Sequence, residues 1–251
     1  KDNLIKFVVF KKPFEEIMFS DTFIEIENTK EKVENEKFKI FPIKQIDLWI
    51  DGIQLQTEEG TLDFDNVKSA NYIGNKWGGK YLRAPEIYWK ILEKGKGKLV
   101  KLGDIAEVRT GIITGNNESY YVLKENYIGH QWNVSSVVKT PKELKKIAFN
   151  RNDTKYFLKI DPKSALWVKN KKARLLWVDL RGDTHLCHLN TDNVPFEHNF
   201  IGIRCFEEKQ SIALVVLLNS TLTWLFIEIL GRIGLGGGAL RLSKSDLENF
   251  P

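Results

Sequence analysis

Residues able to grip a polyanion and read polar edges concentrate between Lys101 and Val122, KLGDIAEVRTGIITGNNESYYV. Arg109, Thr110, Thr114, Asn116 and Asn117 supply donors and acceptors of the kinds that meet phosphate oxygens and base edges. Gly111 and Gly115 stand beside them, and a residue without a Cβ lets backbone approach a ligand closely. Such a set makes a contact surface, not a catalytic centre. To present it, the two glycines must punctuate two runs of β-formers. The pattern therefore predicts a hairpin, with one strand over 107–114, a polar loop over 115–119 and a returning strand over 120–123.

A second basic set follows. Residues 139–181 hold 13 basic and 4 acidic side chains, interleaved with Tyr156, Phe157, Trp167 and Trp177. Lys139, Lys145, Lys146 and Arg151 are its candidate phosphate contacts, although a lysine face is as often simply solvated. Near the end of the chain, GRIGLGGGAL (231–240) packs glycines between Arg232 and Arg241. These glycines follow an apolar run of helical length and lack the Lys-Ser or Lys-Thr of a P-loop, which argues against ATP or dinucleotide binding. A tight return of the chain explains them as well as a phosphate contact does.

Other chemistries fit less well. His185, Cys187, His188, His198 and Cys205 are zinc-type ligands, but they lack the tight pairing of structural zinc sites. Cys187 and Cys205 read better as small core residues, and no metal is expected. Asp161, with Asp179 or Asp183, could be forced into a nuclease role, but the spacing is unspecific.

LGDIAEVRTGIITGNNESYYV resembles the opening of the target-recognition domain of TaqI-like adenine-N6 DNA methyltransferases, a class that includes type II restriction-modification enzymes. KWGGKYLRAPEIYWKIL (76–92) resembles the segment leading into that domain, and LLNSTLTWLFIEILGRIGLGGGALRLSKSDLENFP (217–251) resembles its close. The resemblance implies that residues 76–251 form a target-recognition domain for double-stranded DNA. Residues 1–75 would then hold the end of a methyltransferase domain and a linker. It further implies an upstream methyltransferase domain in the same polypeptide, possessing S-adenosylmethionine and the catalytic Asn-Pro-Pro-aromatic tetrad. Neither that tetrad nor a glycine-rich cofactor loop occurs here, and none of the seven prolines adjoins another. No catalytic residue and no cofactor are therefore expected in this chain. The alternative from a different class is an RNA-binding or protein-docking module, with a stand-alone nuclease third.

Length and composition are compatible with this. The 251 residues can bury a sizeable core, and a hydrophobic share of 42% is ordinary for a globular protein. Two cysteines make no disulfide framework and no signal peptide precedes them, so a cytoplasmic compartment is the expectation. A first residue other than methionine suggests an excised fragment. Charge divides the chain: residues 1–66 carry 15 acidic and 9 basic side chains, a net −6, which leaves +11 for residues 67–251. The basic part is the expected partner surface.

The elements that must hold these residues read as α+β. Strands are expected at 4–10, 22–27, 155–160, 166–168, 174–178, 185–189 and 200–205, and short helices at 14–19, 85–94, 141–149 and 244–249. Residues 27–39 read as a surface loop or a frayed helix. Ser211–Leu230 is the most apolar stretch and has about the length of a membrane span, but Asn219, Ser220, Thr221, Thr223 and Glu228 interrupt it. It is predicted as one long helix buried on most sides, the spine of the core, with no membrane partner.

Overall fold

The computed structural model describes residues 3–52, 78–129, 132–181, 185–232 and 239–251. The chain divides into two compact units, Lys1–Pro85 and Glu86–Pro251, and is α+β throughout. Trp77 and Asp183 lie outside the described residues.

In the first unit, β1 (Leu4–Phe10) is followed by α1 (Phe14–Ile17) and α2 (Ser20–Asn28), then by β2 (Val33–Glu34) and β3 (Phe38–Lys44). The strands form an antiparallel sheet in the order β1-β3-β2, with Phe7 opposite Phe41. Phe38 and Ile40 are fully buried beneath it, and Tyr81 stacks on Phe7 with ring centroids 4.9 Å apart. The Lys39 ammonium is buried as well and donates to the Ala84 carbonyl at 2.7 Å. Burial pushes its pKa down.

Two expectations are revised in this unit. Residues 22–27 are helical rather than extended, because Thr22 and Ile26 lie one turn apart and alone turn inward, whereas Phe23 and Ile24 remain exposed. Residues 27–39 are a loop only in part: after the helix ends at Asn28, 33–34 and 38–39 are strand, and the Asn35 side chain accepts from the amides of Lys37 and Phe38, closing a hairpin between β2 and β3. Beyond β3, α3 (Gln45–Gly52) completes the described part before Gly78.

The second unit opens with α4 (Glu86–Lys94), which Pro85 immediately precedes rather than begins, and α5 (Leu102–Ile105). Its strands are β4 (Ala106–Thr110), β5 (Tyr121–Leu123), β6 (Val134–Val137), β7 (Ala148–Phe149), β8 (Tyr156–Lys159), β9 (Leu175–Val178), β10 (Leu180–Arg181), β11 (Cys187–Asn190), β12 (Phe200–Cys205) and β13 (Leu240–Arg241). They make a five-stranded sheet, β4-β12-β9-β11-β7, a three-stranded sheet, β5-β8-β6, and the pair β10-β13. Only the β11-β7 pairing of the large sheet is parallel. The central strand β9 is LLWV, buried at Leu175, Leu176 and Trp177, as an apolar run without alternation requires.

Four readings are corrected here. The expected hairpin does not exist: β4 pairs with β12 and β5 with β8, so the glycine-bearing segment crosses between sheets. Only one 3-10 turn, Pro141–Glu143, forms where a helix to 149 was expected. The Glu143 carboxylate meets Thr140 in a capping box, but it is buried and also accepts from the amides of Lys139 and Lys155. It ties two strands together instead of starting a helix. Leu166–Val168 lies in a helix, Pro162–Asn170, which Asp161 caps by accepting from the Ser164 amide at 2.7 Å.

The predicted long helix is two, Ser211–Leu218 and Thr221–Leu230, bent by 73°. Asn219 causes the break. Its side chain accepts from the Cys187 amide and donates to the Cys187 and Val215 carbonyls, binding the bend to β11. Ser220 then caps the second helix. Burial is one-sided in the first: Leu214, Val215 and Leu218 face inward while Ile212 and Val216 are 64% and 68% exposed. Among the described residues no single helix is long and apolar enough to cross a membrane; the bent pair meets that test by length and composition only. Ser243 caps the last helix, Lys244–Glu248, as expected.

Candidate nucleic-acid interface

The Arg109–Asn117 segment is built from the end of β4 outward. Arg109 is already engaged: its guanidinium pairs with Glu107 at 2.6 Å and donates to the Asn170 carbonyl at 3.0 Å. That contact holds the Glu107 carboxyl below its ordinary range. The Thr110 carbonyl receives the Lys171 ammonium at 3.0 Å. Gly111 is buried against the backbone of Glu197, where a Cβ would come within 2.3 Å of the carbonyl oxygen. Ile112, its neighbour, bridges to Glu197 and exchanges hydrogen bonds with Phe196 and His198.

Beyond Ile112 the chain reaches solvent. Thr114 is buried and donates to the Asn117 side-chain oxygen at 2.7 Å, and Gly115 turns the chain at φ 76°. Asn116 caps a short helix, Asn117–Tyr120, its side chain accepting from the Ser119 amide. The predicted polar loop is thus partly helical. Both asparagines spend their side-chain oxygens on the fold and lie exposed, so their amide nitrogens are what this tip offers a ligand.

The second basic set is elsewhere. Lys145, Lys146 and Arg151 flank β7, at the far edge of the large sheet from Arg109 in β4. Four strand spacings separate the two sets, roughly 19 Å. Lys145 and Lys146 are exposed, whereas Arg151 pairs with Asp192 at 2.9 Å and depresses that carboxyl. Lys139 sits over the rings of Tyr121 and Tyr156, 5.0 and 4.7 Å from their centroids. Arg232 and Arg241 are brought together by a backbone bridge; Arg241 pairs with Asp179 at 2.8 Å, and Arg232 stands 3.9 Å from Asp246. Residues 233–238 of the glycine run are outside the described part.

The acidic and sulfur-bearing candidates have structural employment. Asp161 caps a helix and Asp179 holds Arg241. Buried Glu197 is occupied by His198 and by Asn199. Cys187 and Cys205 are buried and free, and His188 bonds the Lys146 carbonyl at 2.8 Å. No group of three His, Cys, Asp or Glu among the described residues could hold a metal ion. A cavity of about 150 Å³ between Leu99, Val100, Leu217, Leu218 and Phe226 is apolar.

Sequence reasoning missed a further group on the three-stranded sheet. Strand alternation turns Leu158 into a small core with Ile112, Tyr121 and Val137, and turns Phe157 and Lys159 to the opposite face. There Tyr127 lies edge-on to Phe157, and Lys159 stands over Trp132. The aromatic pair Tyr156 and Phe157 within a short apolar run was the available signal.

No protein-family model matches the chain, and no curated protein matches it. Among solved structures, it is similar to the type IIG restriction endonuclease BpuSI, with a TM-score of 0.52 and 10% identity. The match covers 98% of this chain and 32% of BpuSI, so the chain spans about a third of that protein's length. At this identity the likeness is one of fold.

Proposed function

We propose that this chain serves a restriction-modification enzyme, and that residues 86–251 bind duplex DNA and read its target sequence for an adenine-N6 methyltransferase. The observation that carries the reading is the likeness in fold to a type IIG restriction endonuclease over 98% of the chain. The net +11 of residues 67–251 supports it, because phosphate neutralisation supplies most of the affinity of such domains. Methyl transfer and S-adenosylmethionine binding are assigned to other parts of a longer polypeptide, and nuclease activity, if fused, with them.

In this reading Lys145 and Lys146 contact phosphates, and the tip at Asn116 and Asn117 enters a groove. Arg109 becomes a positioning residue, since its guanidinium is already bound by Glu107 and Asn170. Competition binding with duplex DNA, single strands and RNA tests the proposal. Duplex is expected to compete best, with log affinity falling linearly against log salt concentration. Preference for RNA, or affinity that ignores salt, would overturn it.

A further inference from the structure

We propose that the outer face of the β5-β8-β6 sheet is a stacking site for a nucleic-acid strand with unpaired bases, separate from the duplex-reading tip. Three rings form it. Tyr127 meets Phe157 edge-on at 5.3 Å and Trp132 at 6.5 Å, and its hydroxyl donates to the Trp132 carbonyl at 2.6 Å. These contacts fix the rings against one another while Trp132 stays 45% exposed. Rings held in this way lose little freedom on meeting a base.

Two ammonium groups complete the site. Lys159 lies 3.8 Å from the Trp132 ring centroid and Lys124 5.2 Å from that of Phe157. Lys124 donates to neutral groups, the Arg151 carbonyl and the Thr154 hydroxyl, with the Glu143 carboxylate acting on it at longer range, and among the described residues no carboxylate forms an ion pair with either lysine. Opposite Phe157 on β6 is Ser136, which leaves the face without an acidic side chain at that point. Flat π surfaces beside cations that have no direct ion-pair partner among the described residues suit bases followed by phosphates. A duplex hides the faces of its bases, so this partner must be a single strand or an unpaired stretch. An acidic peptide would use the ammonium groups and leave the rings without planar partners.

The test is a fluorescence titration of the chain with a 15-residue oligothymidylate, with a mixed-sequence duplex and with polyglutamate. The single strand is expected to quench emission that is absent in Trp132→Leu. Stacking contributes enough per base that Trp132→Leu and Phe157→Leu are each expected to weaken single-strand binding about 5- to 100-fold. Ser136→Glu, which adds charge without removing a ring, should do the same, while duplex affinity changes less than about twofold. Unchanged melting temperatures would show that each variant is folded; where a ring variant is not, Ser136→Glu decides. Undiminished single-strand binding in folded Trp132→Leu or Ser136→Glu, no binding by the parent, or equal competition by polyglutamate would overturn the stacking site. Persistence of duplex binding in those cases would leave the duplex-reading proposal standing.

Discussion

Gly111 and Gly115 look interchangeable in the sequence, and the structure separates them. At Gly111 an added Cβ would lie 2.3 Å from the Glu197 carbonyl oxygen, 2.4 Å from its carbon and 2.8 Å from the His198 nitrogen. All three are backbone atoms, so relief requires the 111–112 and 197–198 segments to part. The Ile112–Phe196 and His198–Ile112 hydrogen bonds would be strained together. Overpacking of about 1–3 kcal/mol, with about 1 kcal/mol more for the weakened bonds, gives roughly 2–4 kcal/mol for Gly111→Ala. In a unit of this size that lowers Tm by roughly 4–16 °C. Gly115 has nothing within 4 Å of such a Cβ but sits at φ 76°. Gly115→Ala is expected to lose about 1–2 kcal/mol to left-handed strain, partly offset by about 0.4–1 kcal/mol through the unfolded chain. Urea denaturation of both variants measures the difference. Equal losses, or a larger loss at Gly115, would refute the packing argument.

Two other perturbations follow from buried polar groups. Burial holds the His188 imidazole below its ordinary pKa, against a partial pull upward from its bond to the Lys146 carbonyl. The unfolded chain therefore binds the proton first, so this contribution is complete above about pH 6.5 and is lost as pH falls toward the depressed value. His188→Gln should flatten the fall of the urea midpoint below about pH 6.5; an unaltered profile would exclude His188 as its source. Asn219→Ala strips the Cys187 amide and carbonyl of side-chain partners and should cost about 2–4 kcal/mol by denaturation. A loss under about 1 kcal/mol would mean that the helix break stands without this clamp.

Local signals were legible in the sequence where short-range chemistry decides the outcome. The helix over 244–249 and the apolar runs of β1, β9 and β12 were read close to where they are observed. Partner choice was not legible. Nothing between Glu107 and Leu123 tells that β4 joins β12, some 90 residues later, because that pairing depends on the packing of Gly111 and Ile112 on Glu197 and Phe196. Glu143 looked like a helix start because its capping box is local, whereas its bond to Lys155 is not. The same limit governed the site. The basic residues were visible as a population, but the ion pairs that occupy Arg109, Arg151 and Arg241 were not.

The central claim is that this chain reads duplex sequence, and selection from randomised duplexes tests it most directly. The parent is expected to enrich one short consensus. Asn116→Ala or Asn117→Ala should relax a single position at a cost of about 1–3 kcal/mol on the true site. Lys145→Ala or Lys146→Ala should weaken all sequences alike. Failure of the parent to enrich any consensus, while it still binds duplex in a salt-dependent manner, would contradict sequence reading and leave only non-specific DNA binding.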